Sequence, residues 1–205
     1  MRRVLLIFLS LVLALASAGA AGAEDGFYVI PAMKGNYAPV PKTGQTTVYV
    51  PGDDGDLHKG VAWPTPRFTD NQNGTVTDNL TGLIWLQNAS ALGPTTWGQA
   101  ITIANNLKSG DAGLKDGSTQ GNWRLPNIRE LQSLVDYGRG GEFTGPAVPT
   151  PNPFIGVVWQ NRYWSSTSEN GSLPNLAWWV GFDLGFAGTD PKSNNYLVWC
   201  VRGGR

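Results

Sequence analysis

Hydrophobic and polar positions follow four successive patterns along the 205 residues. The first is an apolar run from Val4 to Ala16, preceded by Arg2 and Arg3 and succeeded by small residues from Ser17 to Ala23. About 13 apolar residues are too few for a membrane span of roughly 20, and Ala21-Gly22-Ala23 has the small-x-small form of a cleavage site. The chain is therefore expected to carry a signal peptide over residues 1–23 and to be exported (periplasmic, secreted or at the cell surface) after cleavage at Ala23. No later segment is long and apolar enough to predict a membrane span.

From Glu24 to Pro66 no period holds. Pro31, Pro39, Pro41, Pro51, Pro64 and Pro66 interrupt the segment, and only Thr46 to Val50 reads as a short strand. Phe27, Tyr28, Tyr37, Tyr49 and Trp63 supply more aromatic surface than a linker needs, so residues 24–66 are expected to form an extended arm that packs in part on the main domain. The third pattern is a near-repeat of turns, Thr69-Asp70-Asn71-Gln72-Asn73-Gly74 and then Thr77-Asp78-Asn79-Leu80-Thr81-Gly82. Asp and Asn hydrogen-bond the turn backbone and Gly takes a positive φ, which predicts a three-stranded meander through Phe68, Val76 and Leu83 to Leu86.

The fourth pattern is a change of period. Trp97, Ala100, Ile101, Ala104 and Leu107 recur at helical spacing behind Thr96, with Gln99 three residues on as a capping box. Asn127 with Glu130 repeats the capping logic ahead of Ile128, Leu131, Leu134 and Val135, predicting a second helix to about Tyr137. Beyond the irregular, Pro- and Gly-rich residues 138–153, strands are expected at Tyr163 to Thr167, Ala177 to Phe182, Phe186 to Thr189 and Tyr196 to Arg202. Alternation in the second of these sets Trp178, Val180 and Phe182 on the core face and Trp179 and Gly181 on the other. Strands, two helices and then strands joined by long loops describe an α+β domain over residues 67–205, with helices flanking antiparallel sheets.

Composition narrows the chemistry. Nine Trp, seven Phe and six Tyr argue against disorder, while 27 Gly and 14 Pro make the chain loop-rich. Lys and Arg number 15 against 15 Asp and Glu, and loss of Arg2 and Arg3 with the leader makes the balance slightly acidic. No field for nucleic acid remains. Cys200 and His58 each stand alone, which excludes an intramolecular disulfide and a Cys/His zinc site, and His58, within the Gly- and Asp-rich GDDGDLHKG, reads as a solvated loop imidazole rather than a catalytic base. Asp70, Asn71, Asn73 and Asp78 resemble a calcium loop only in oxygen content, because Leu80 stands where an EF-hand loop needs a bidentate Glu. They read as turn chemistry, and no metal or cofactor is expected.

Once the core face is filled, Trp179, Phe186, Tyr196 and Trp199 are left over, with Asp183, Asn194 and Asn195 as polar neighbours. Either these residues form a ligand platform for a glycan or a protein, or a second layer of loops covers the rings. A hydrolase using Asp183 with Asp190 or Glu142 depends on a spatial separation that spacing in sequence does not supply. A third reading is an assembly unit whose arm docks on a neighbouring copy. Arg124, Arg129, Arg139 and Arg162 offer a basic patch, although Arg124, between Trp123 and a helix start, reads as structural.

The segments NGTVTDNLTGLIWLQNA, TTWGQAITIANNL, GNWRLPNIRELQSLVDYG, YWSSTS, AWWVGF and YLVWCVRGG resemble, in that order, those of the Legionella collagen-like protein C-terminal domain family. The resemblance covers about Arg67 to Gly204 and implies a C-type-lectin-like fold, an adhesive role and a distant relation to retroelement-diversified receptors. It also implies a partner cysteine for Cys200 at the position of Ala104, which this chain lacks. The calcium ligands of sugar-binding lectins do not carry over, because Leu173-Pro174-Asn175 lacks the carboxylate or amide they use. The expectation is a non-catalytic, calcium-independent recognition domain.

Overall fold

The computed structural model describes residues 40–139, 145–171 and 174–203. The predicted leader, residues 24–39 of the arm, Glu142 and Leu173 lie outside the described residues.

Within the arm, the strand expected at Thr46 to Val50 does not form. Among the described residues the segment has no neighbouring strand to pair with, and its propensity for extended structure is not enough alone. Val48, Tyr49 and Val50 are exposed, and a one-turn helix, α1 (Asp54–Leu57), comes next. Asp53 caps that turn, its carboxylate accepting from the Asp56 and Tyr49 backbone N–H groups at 2.9 Å each. These bonds hold the Asp53 carboxyl below its usual range. The arm then closes on itself, with Lys42 N–H donating to Val61 O at 3.0 Å and Val61 N–H to Val40 O at 2.7 Å. It docks on the rest of the chain through Tyr137 N–H, which donates to Thr43 O at 2.8 Å. Gly44, at φ +92°, lies so close to the domain that a Cβ there would meet Asp136 Oδ1 at 2.1 Å.

The meander forms as the turn chemistry predicts. β1 (Phe68–Asp70), β2 (Thr75–Asp78) and β3 (Ile84–Leu86) pair antiparallel, with Phe68 opposite Asp78 and Val76 opposite Trp85. The candidate cation oxygens are engaged within the protein. Asp70 accepts from Gln72 N–H, Asn73 from Thr75, and the buried Asp78 carboxylate takes both Arg67 Nε and Nη2 at 2.8 and 3.0 Å. Arg67 is itself buried and lies 5.4 Å from the Trp63 ring, so the ion pair also anchors the end of the arm.

α2 (Trp97–Asn106) matches its predicted span within one residue, but its expected capping box does not form. Gln99 Oε1 instead accepts from the hydroxyls of Thr95 and Thr96, at 2.6 and 3.0 Å, so Thr96 is a donor rather than the acceptor a cap requires. At the second helix the box is complete around Asn127 and Glu130, yet α3 (Ile128–Gln132) stops five residues short of Tyr137. Past Gln132 the bonding tightens to three-residue spacing, Leu134 N–H donating to Leu131 O at 3.2 Å and Val135 N–H to Gln132 O at 3.0 Å, and the run then ends as Asp136 N–H goes to Ala147 O and Tyr137 N–H to Thr43 O.

The remaining strands are β4 (Pro94–Thr95), β5 (Arg162–Ser168), β6 (Leu176–Gly181), β7 (Ala187–Pro191), β8 (Tyr196–Leu197) and β9 (Val201–Arg202). β9 completes a four-stranded sheet, order β1-β2-β3-β9, and the others form a five-stranded sheet, order β4-β8-β5-β6-β7. The second sheet is mixed, since β5 and β8 run parallel. The single strand expected from Tyr196 to Arg202 is thus two strands in two sheets, with Cys200 in the connection rather than in a strand. α+β is the fold class, with both sheets closing on one hydrophobic core.

Trp199 sits where the chain passes between the sheets, completely buried. Its ring meets Trp85, Phe154, Tyr163 and Phe182 at centroid distances of 4.9–5.6 Å, and its Nε1 donates to Leu86 O at 2.8 Å. Its assignment to an exposed ligand surface is therefore corrected: a segment that changes sheets has structure on both of its faces. Cys200 is equally buried, its thiol pushed up by desolvation, and Ala104 is fully buried in the same core.

This core carries two measurable outcomes. Trp199→Ala should cost about 3–5 kcal/mol, read as a large drop in the urea midpoint. Burial pushes the Tyr163 hydroxyl up to about 12, above the roughly 10 of an unfolded tyrosine. Its stabilising contribution is full below about pH 10 and is lost as pH rises towards 12, by about 2–3 kcal/mol in all. Tyr163→Phe should flatten that alkaline decline in stability.

Candidate functional site

β6 is the centre of the candidate site. Its alternation places Val180 on the core face and Trp179 on the opposite face, directly across from Trp164 on β5 and Gly188 on β7. Trp178 shares the Val180 side of the strand, as expected, but is only partly buried. Arg162 pairs with Gly181, which brings its guanidinium to 4.2 Å from the Trp179 ring centroid. On its other side the indole rests on Gly188, where a Cβ would lie 2.7 Å from the ring. Trp179 is thus held between a glycine and a cation, a geometry in which the ring's negative face attracts the guanidinium.

The guanidinium is oriented in turn. Arg162 Nη1 donates to Asp190 Oδ2 at 2.5 Å and to Tyr196 OH at 2.7 Å, while Tyr196 OH donates to the same Asp190 oxygen at 2.8 Å. Asn194 Nδ2 donates to Tyr196 OH at 3.1 Å. Both Nη1 bonds leave Nε and Nη2 without a protein acceptor among the described residues. The β7-to-β8 connection crosses β6 and β5 to deliver Asn194 and Tyr196, an adjacency that no local pattern carries.

One end of this outer face is covered. Trp164 is fully buried and donates its Nε1 to Thr95 O at 3.0 Å, and Trp97 Nε1 bonds Ser165 O at 2.8 Å. The other end opens into a cleft of about 240 Å³ lined by Arg162, Trp179, Asp183, Phe186, Trp159 and neighbouring amides. Phe186 is 58% exposed, and the Asp183 side chain has no hydrogen bond among the described residues. Gly181 lets Asp183 sit close, since a Cβ there would be 2.9 Å from Asp183 Oδ1. Trp179 Nε1 is buried without an acceptor among the described residues, a donor beside the same cleft.

Of the seven residues singled out from the sequence, Trp179, Asp183 and Phe186 come together here. Tyr196 and Asn194 stand behind them as supports for Arg162, Asn195 is exposed outside the lining, and Trp199 is core. Arg162 and Trp159 were not anticipated in this role. Arg162 opens a strand of alternating pattern beside Tyr163, a signal that sets its face but not its partners. Two of the four arginines of the candidate basic patch are neutralised by carboxylates: Arg124 is bidentate to Glu130 at 2.6 and 2.7 Å, as its structural reading expects, and Arg162 is paired with Asp190. Among the described residues no helix is long and apolar enough to cross a membrane.

A family model, the Lcl C-terminal domain, matches residues 74–202. That span includes both sheets except β1 and holds every residue of the cleft. No curated protein matches the chain.

The support beneath Trp179 is open to a direct check. Gly188→Ala should destabilise by about 1–3 kcal/mol through overpacking against the indole. In a Trp179→Leu background the same change should cost much less, so a double-mutant cycle should report a clear coupling.

Proposed function

The chain belongs to the Lcl C-terminal domain family, and on that basis we propose that it is an exported, non-catalytic recognition domain of C-type-lectin-like architecture. Its ligand, a glycan or a glycan-bearing protein, is bound without calcium in the cleft between Arg162, Trp179, Asp183 and Phe186. The observation that carries this reading is the combination in one opening of an exposed aromatic ring, a free carboxylate and a fixed guanidinium with unspent donors. A sugar ring presents an apolar face and pairs of hydroxyls; rigid aromatic surface covers the first and planar charged groups bind the second.

The architecture supports recognition over catalysis. Of the carboxyl pairs considered for hydrolysis, Asp183 with Asp190 is disfavoured because Asp190 is committed to Arg162 and Tyr196, and Glu142 lies outside the described residues. Preorganisation favours binding: Arg162 and Trp179 are held before any ligand arrives, so little side-chain entropy is lost on association.

Binding to an array of immobilised glycans tests the proposal. Phe186→Ser and Asp183→Asn should each lower binding about tenfold or more while leaving the melting temperature within about 2 °C, because neither side chain is buried. Added chelator should change nothing. Wild-type binding by both variants would move the site away from this cleft, and chelator-sensitive binding would refute calcium independence.

A further inference from the structure

The arm holds a second cavity of about 320 Å³, built wholly from residues 42–63. It is within the range of small-molecule sites. Three closures shape it: the Lys42–Val61 backbone pairing, the Thr43 hydroxyl donating to the Asp54 carboxylate, and Trp63 Nε1 donating to Lys42 O at 3.1 Å. The last of these uses the only polar atom of the indole, so Trp63 presents apolar surface to the cavity.

Two donors of the lining remain without a partner. Asp54 is engaged by Thr43, whereas the Lys42 ammonium and the His58 ring form no hydrogen bond or ion pair among the described residues. His58 is the chain's single histidine. Its backbone is held in the left-handed region at φ 46°, with its N–H on Asp54 O at 2.9 Å. A non-glycine residue is rarely found there, and its position at the cavity results from that turn.

The geometry points to a binding site for a flat aromatic carboxylate: an apolar body against Trp63, with its anionic group reaching Lys42 and His58. The proposal is independent of the cleft on the five-stranded sheet and shares no residue with it.

The single histidine makes the test direct, since its imidazole contributes one carbon-bound proton signal of its kind to the NMR spectrum. Titration of the full exported chain with 2-naphthoate should shift that signal saturably, with a Kd below about 1 mM. Lys42→Met should weaken binding about tenfold, and uncharged 2-naphthamide should bind the wild type more weakly by a similar factor. His58→Asn, which tolerates the left-handed backbone, should also lower naphthoate affinity, read by tryptophan fluorescence. Absence of a saturable shift in the wild type overturns the proposal. So does equal binding of amide and carboxylate together with an unaltered Lys42→Met variant, which would mean apolar partition alone. Phe186→Ser and Asp183→Asn should leave naphthoate binding unchanged, so failure here and failure of the glycan reading are separately visible.

Discussion

One seven-residue segment, Tyr196 to Arg202, belongs to both sheets, and the burial of Trp199 at its midpoint is the constraint on which the fold depends. β8 pairs with β4 and β5 on one side, β9 with β3 on the other, and between them the indole touches four aromatic rings. Leu86 contributes twice, accepting from Trp199 Nε1 and donating its N–H to Cys200 O at 3.0 Å. With a lone buried cysteine no intramolecular disulfide ties the sheets together. Edge-to-face aromatic contacts, each favourable beyond the area they bury, hold the two together.

The same crossing decides which part of the outer sheet face stays open. Because the chain must pass over β6 and β5 to reach β8, Tyr196 and Asn194 arrive beside Arg162 and Asp190 and lock the guanidinium over Trp179. Trp164 on the same face is sealed by β4 and its neighbours, and only the end near Asp183 and Phe186 stays open. The aromatic surplus is therefore divided by burial: Trp199 and Trp164 lie in the core, Phe186 lines the cleft, and Trp179 stands at the boundary between them.

The arm is attached through a polar anchor. Arg67 is buried with Asp78, donates also to Ser133 O at 3.0 Å, and faces Trp63 at the base of the arm. Removing one partner of such a pair leaves a buried charge uncompensated, which is costly. The contact of Gly44 with Asp136, and of Thr43 with Tyr137, then sets the arm against the end of α3. Burial raises the Asp136 carboxyl above its usual range, its Gly138 and arginine neighbours only partly opposing that rise.

Local chemistry determined the parts that local chemistry can decide. The turns after Asp70 and Asp78, the Asn127 and Glu130 capping box, the α2 stripe and the opposite faces of Trp179 and Val180 are legible because each depends on residues within a few positions of one another. So are the family and the lack of an intramolecular disulfide, which rest on the order of segments and on the single cysteine. Tertiary structure alone decided the rest. Whether Thr46 to Val50 becomes a strand depends on a partner it does not meet among the described residues, and helical bonding does not reach Tyr137 because the Ala147 and Thr43 carbonyls take the Asp136 and Tyr137 donors. Most of all, Trp179 and Trp199 are equivalent as sequence, each an aromatic residue left over from an alternating strand. One is half-open and the other sealed because only the second lies where the chain changes sheets, and burial is a property of what packs from both sides rather than of the strand itself.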